Sequence, residues 1–83
     1  MNTVTAETVT PAAVGIAHWR GMLCDKAALL AMPGAHHKAL LRQAYELHKA
    51  HMIDADELSD LLELADAALA YAVESLLDLD PDE

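Results

Sequence analysis

Five histidines, one cysteine, two serines and fourteen carboxylates are the side chains of this 83-residue chain with obvious chemical capacity. His48 and His51 stand at helical i, i+3 spacing, and His36 and His37 lie about three turns earlier. Zinc needs three or four ligands converging on a tetrahedron. Only the His48–His51 pair has suitable spacing, and Cys24 belongs to a different segment. The histidines are therefore expected to edge a helix and face an acidic neighbour, with no metal site. Protonating all five would move the formal charge from −9 to −4, so mild acid is expected to alter solubility or association. Ser59 and Ser75 sit among acids with no base nearby in sequence, and Asp25 beside Cys24 discourages a thiolate. Three scattered glycines build no phosphate-binding loop. These residues predict no catalytic or cofactor site and no enzyme activity.

The carboxylates carry a different message. Residues 54–83 hold eleven acids and not one Lys, Arg or His. Five bases against Glu7, Asp25 and Glu46 leave the first fifty-three residues at +2 and the remainder at −11, which together make the net −9. A chain so polarised pairs its halves, offers an acidic face to a basic partner, or does both. The charge also disfavours nucleic acid and anionic membranes as direct partners. The longest apolar run, Ala67 to Val73, is far shorter than the ~20 residues of a membrane span. No basic stretch followed by an apolar run opens the chain, so no secretory signal is expected. A single cysteine fits a reducing cytoplasm.

Four segments must position these residues. Residues 1–9 are rich in Thr and Val, have no partner strand, and read as a flexible arm. Thr10-Pro11 is a helix start, and Ile16, Trp19, Leu23, Ala27 and Leu30 share one face of a helix running to about Ala31. Gly15 and Gly21 weaken that helix, or permit a close crossing or a bend. Met32-Pro33-Gly34 ends it. The second helix is expected over Ala35 to Met52, with Leu40, Leu41, Ala44, Leu47 and His48 inward and Lys38, Arg42, Glu46 and Lys49 outward. Asp54 and Glu57 form an acidic capping box, and Ile53 with Leu58 the matching hydrophobic staple. The third helix then runs from Ala55 to about Leu79, antiparallel to the second across a tight turn.

That last helix carries two apolar stripes. Leu58, Leu62, Ala65, Leu69, Ala72, Leu76 and Leu79 alternate in heptad spacing, and Leu61, Leu64, Ala68 and Tyr71 lie beside them. One neighbour needs one stripe, so the second predicts contact with the first helix or another subunit. Residues 80–83 form an acidic tail. The fold class is all-α: a helical hairpin with a weaker N-terminal helix, as a small three-helix bundle or helical dimer, one domain over residues 10–79. The partner or dimer interface is assigned to Trp19, Leu61, Leu64, Ala68, Tyr71, Glu74 and Asp78. Lys38, Arg42, Lys49 and the histidines are expected to lie against the acidic edge of the third helix, leaving an acidic surplus toward its end.

The stretch from Leu40 to His48, then Ile53 to Leu58, then Leu62 to Ala68, resembles small early-region proteins of Mu-like temperate phages of Pseudomonas. The resemblance covers the last half of the chain. It implies a phage protein that binds a host protein in the host cytoplasm and switches it off. Targets of that class include the type IV pilus assembly ATPase, quorum-sensing regulators and CRISPR effectors. The leading expectation is thus a non-catalytic helical inhibitor, homodimeric through its third helix. The alternative is an acidic decoy that mimics nucleic acid, as an anti-CRISPR or anti-restriction protein does.

Overall fold

The computed structural model describes residues 10–78. The arm at 1–9, Leu79, the tail at 80–83 and the side chain of Asp78 lie outside what it describes. Within those bounds the chain is all-α, with four helices and no strand among the described residues: α1 (Pro11–Leu23), α2 (Lys26–Ala31), α3 (Pro33–Lys49) and α4 (Ala55–Asp78).

Local chemistry sets most of the boundaries. Thr10 Oγ1 accepts from the Ala13 N–H at 3.0 Å, and Pro11 occupies the first turn, where its missing N–H costs nothing. At α4 the Asp54 N–H donates to Glu57 Oε1 at 3.0 Å, and the Glu57 N–H donates to Asp54 Oδ1 at 2.8 Å. This is the expected reciprocal box. Ile53 is buried before it, and Leu58 packs on the same core.

Three expected boundaries move. The first helix is broken at Cys24. Asp25 restarts it, its Oδ1 accepting from the Ala28 N–H at 3.2 Å. The break rotates the inward face, so Leu29 is buried while Ala27 is exposed. Proline at 33 forces Met32 out of helical geometry, but α3 begins at Pro33 itself, with Gly34 inside its first turn. At its other end α3 stops at Lys49 rather than Met52. His51 takes a left-handed φ of 63°. The Met52 N–H then donates to Leu47 O and the His51 N–H to His48 O, each at 2.9 Å. That pair of bonds is the Schellman arrangement, usually closed by glycine.

α3 and α4 form the antiparallel hairpin, α1 packs on α3 and only lightly on α4, and α2 packs on both hairpin helices. The core joins Trp19, Leu40, Ala44, Leu47, Ile53, Leu61 and Ala65. Gly15 permits the α1–α3 approach, because a Cβ there would stand 2.7 Å from Leu47 Cδ2, whereas one at Gly21 would meet nothing within 4 Å. At ~1.5 Å per residue α4 outreaches α3 by about 10 Å. Val73, Leu76 and Leu77 near its end are exposed.

The two stripes of α4 are not used as expected. Leu61, from the second stripe, is 4% exposed, whereas Leu58 and Leu62 of the heptad seam are half-buried and Leu76 is 41% exposed. α4 packs against α3 on one side and α1 and α2 on the other. Its deepest line joins Ala65 and Ala72 of the heptad seam to Leu61 of the second stripe, along the border where the two stripes meet.

Candidate partner-binding groove

What remains of the second stripe becomes one wall of a groove. Because α1 leans on α3, a crevice stays open between α1 and α4, and it continues along the start of α2. Its first recess, about 200 Å³, is lined by Ile16, Arg20, Ile53, Glu57, Asp60 and Leu61. The next shares Arg20 and Asp60 with it and adds Glu63, Leu64 and Ala67. One turn on, Ala68 and Tyr71 face Leu23, Cys24, Lys26 and Leu29. The three recesses follow α4 from Glu57 to Tyr71, roughly 21 Å at 1.5 Å per residue. All are open along their length, unlike the pockets that enclose small ligands.

Leu61, Leu64, Ala68 and Tyr71 thus line one groove. Leu61 is its buried floor, and Leu64 and Tyr71 are 37% and 46% exposed. Trp19 stands elsewhere. It is fully buried, with its indole N–H donating to Leu40 O at 2.9 Å. Trp19 therefore serves the chain's own core, a correction to its assignment as partner surface, while Leu61 belongs to that core and also floors the groove. Glu74 is exposed one turn beyond the groove, and Asp78 ends α4.

Electrostatics set the groove's character. Glu57 and Asp60 line the first recess and Asp60 and Glu63 the second, all exposed. Arg20 is the one base on the opposite wall of the first two recesses, and no ion pair ties it to them. The expected charge pairing of the hairpin is also different. Lys38, Arg42 and Lys49 are exposed, and the one contact within ion-pair distance among the described residues is His37 Nε2 to Asp66 Oδ1 at 2.8 Å, a hydrogen bond that becomes an ion pair only when the imidazole is protonated. A histidine whose ring lies close to α3 reaches the facing helix, while longer side chains gain little from a fixed surface pair. At the far end of the groove Lys26 Nζ lies 5.4 Å from the Tyr71 ring centroid. Hydrogen bonding from Lys26, then from Ser75, together with the Lys26 charge, holds the Tyr71 hydroxyl pKa below its usual 10.0.

The remaining histidines do not converge. His51 closes the turn after α3, and no group of three or more His, Cys, Asp or Glu among the described residues is arranged to hold a metal. His36 is 9% exposed, and its Nε2 has no hydrogen-bond partner among the described residues. It lines a shallow apolar recess with Ala28, Ala31, Met32 and Ala35 at the α2–α3 corner. No helix among the described residues is long and apolar enough to cross a membrane.

The sequence pattern marked the groove's α4 wall through its second stripe. It did not mark Asp60 and Ala67, which lie on α4 outside that stripe, nor Arg20, because the opposing wall depends on where α1 leans. Comparison with protein-family models, curated proteins and solved structures finds no match. Fold and site together define a class rather than a family: a small all-helical bundle with an open, acid-rimmed groove.

Proposed function

We propose that this chain is a non-catalytic interaction protein that binds a host protein through the α1–α4 groove and inhibits it. The observation behind the reading is the half-covered stripe of α4. Leu64, Ala67 and Tyr71 form an exposed apolar strip beside Glu57, Asp60 and Glu63. A strip with charged flanks is the usual form of a partner site in a monomeric surface. The resemblance to early proteins of Mu-like Pseudomonas phages supplies the setting: a phage product acting in the host cytoplasm, with a pilus assembly ATPase or a quorum-sensing regulator as the kind of target.

A heterologous partner suits this surface better than a second copy. Trp19 and Leu61 are already committed to the core, and pairing two α4 helices would set two segments of −11 together. The decoy alternative keeps one supporting observation. Glu57, Asp60, Glu63 and Glu74 are exposed on α4 with no base within ion-pair distance among the described residues.

Affinity capture from host lysate with the native chain and with a Leu64→Arg, Ala67→Arg variant tests the reading. A protein held by the native chain and lost by the folded variant is the expected result, with modest salt dependence. Equal retention by both overturns it. Retention that collapses with salt and is displaced by DNA favours the decoy. Light scattering that finds a stable dimer disrupted by the same variant restores the homodimer.

A further inference from the structure

Resting on that groove reading, we infer that the occupant of the α1–α4 groove is a basic amphipathic α-helix of the partner. Backbone chemistry narrows the choice first. Apart from Cys24 and Ile53 in turns, the walls of the groove are helices, whose own N–H and C=O groups are largely paired internally. An extended segment laid there would find no sheet edge to bond, and its backbone would be desolvated without partners. A helix satisfies its own backbone and presents only side chains.

Dimensions and charge then define the sequence type. The groove follows α4 for about 21 Å, the length of a helix of roughly 14 residues. Its floor of Ile16, Ile53, Leu61 and Leu64 accepts apolar anchors spaced i, i+3, i+4, i+7. Glu57 and Asp60 at the first recess, and Asp60 and Glu63 at the second, present exposed carboxylates to Lys or Arg of the occupant. Arg20 on the other wall, with no ion-pair partner among the described residues, accepts an acid near the middle of the occupant. An acidic or neutral helix would leave three carboxylates partly desolvated and unpaired, which works against binding.

The probe is a labelled, about 18-residue leucine–lysine peptide whose leucines fall on one helical face. Its comparisons are a scrambled peptide of the same composition and the glutamate counterpart. Fluorescence anisotropy is read with the full chain. The amphipathic lysine peptide is expected to bind at least about tenfold more tightly than the scrambled one, and the glutamate peptide not to bind. Asp60→Lys with Glu63→Lys is expected to weaken binding by about tenfold or more. Asp66→Lys with Glu74→Lys applies the same charge change outside the groove and leaves binding within about twofold. Circular dichroism confirms that each variant stays helical. Equal binding of the scrambled peptide, or equal loss in the two double variants, overturns the inference by making the attraction general. No binding of the lysine peptide, while the Leu64→Arg, Ala67→Arg variant still loses its lysate partner, sinks the helix inference and leaves the groove reading standing.

Discussion

Replacing Trp19 separates a core role from a partner role with numbers. Trp19 is 0% exposed, and its indole donates a 2.9 Å bond to Leu40 O from a neighbouring helix. Leu40 lies inside α3, so its carbonyl keeps a helical donor when the indole is removed, and no buried acceptor is orphaned. Trp19→Phe then loses the net value of one hydrogen bond, about 1 kcal/mol. It also loses the packing of the missing ring atoms, about 1–2 kcal/mol more. Trp19→Ala is expected to cost about 3–5 kcal/mol. A domain of this length has a total stability of roughly 4–12 kcal/mol, so the alanine variant sits at the edge of unfolding while the phenylalanine variant stays folded. Urea titration followed by far-ultraviolet circular dichroism gives both values, with m unchanged for phenylalanine. Trp19 is the only tryptophan, so acrylamide quenching of the native chain reads its burial directly. The reasoning is refuted if Trp19→Phe costs under about 0.5 kcal/mol. It is refuted equally if native Trp19 is quenched as freely as in the unfolded chain. An anchor for a partner would show the opposite pattern, with unchanged stability and lost binding.

Three further outcomes follow from local chemistry. Asp54→Ala removes the side chain that accepts the Glu57 N–H and is expected to cost about 1 kcal/mol in the same urea titration. His51→Gly relieves a non-glycine residue at φ 63° and is expected to raise stability by about 1 kcal/mol, and a loss would mean that the His51 ring packs usefully in the turn. In a Tyr45→Phe background, ultraviolet titration of Tyr71 is expected to give a pKa below 10.0, and Lys26→Met to raise it. Because the folded pKa is the lower one, any stabilisation belongs to the ionised form. It appears as pH rises through the folded pKa, is complete above the unfolded value, and is lost as pH falls again. A titration unmoved by Lys26→Met refutes the contact.

Features built within five residues of chain were legible in the sequence. The Thr10-Pro11 start, the Asp54–Glu57 box and its staple act through side chains beside the backbone they cap, so no distant element is needed to define them. The same holds for the all-α class, since helical periodicity is a local property. The second stripe of α4 was equally visible as a surplus of apolar residues. The restart at Asp25 was less so. A lone Asp with no Glu or Gln three residues on is a weak local signal, and the break is held by Leu29 turning into the bundle.

What tertiary structure alone decided was the use of each face. Two stripes on one helix do not say which neighbour lies where. The lean of α1 toward α3, allowed by the bare Cα of Gly15, buries Trp19 and Leu61 together and leaves Leu64 and Tyr71 at an open groove. Charge behaved similarly. The eleven acids of residues 54–83 were countable from the sequence, but ion pairing needs ångström-scale approach, and only packing singled out His37 over Lys38, Arg42 and Lys49. Composition and spacing determined that this is a polarised helical chain. Packing alone decided which apolar residues became its interior and which remained at its surface, because burial depends on contacts between segments far apart in sequence.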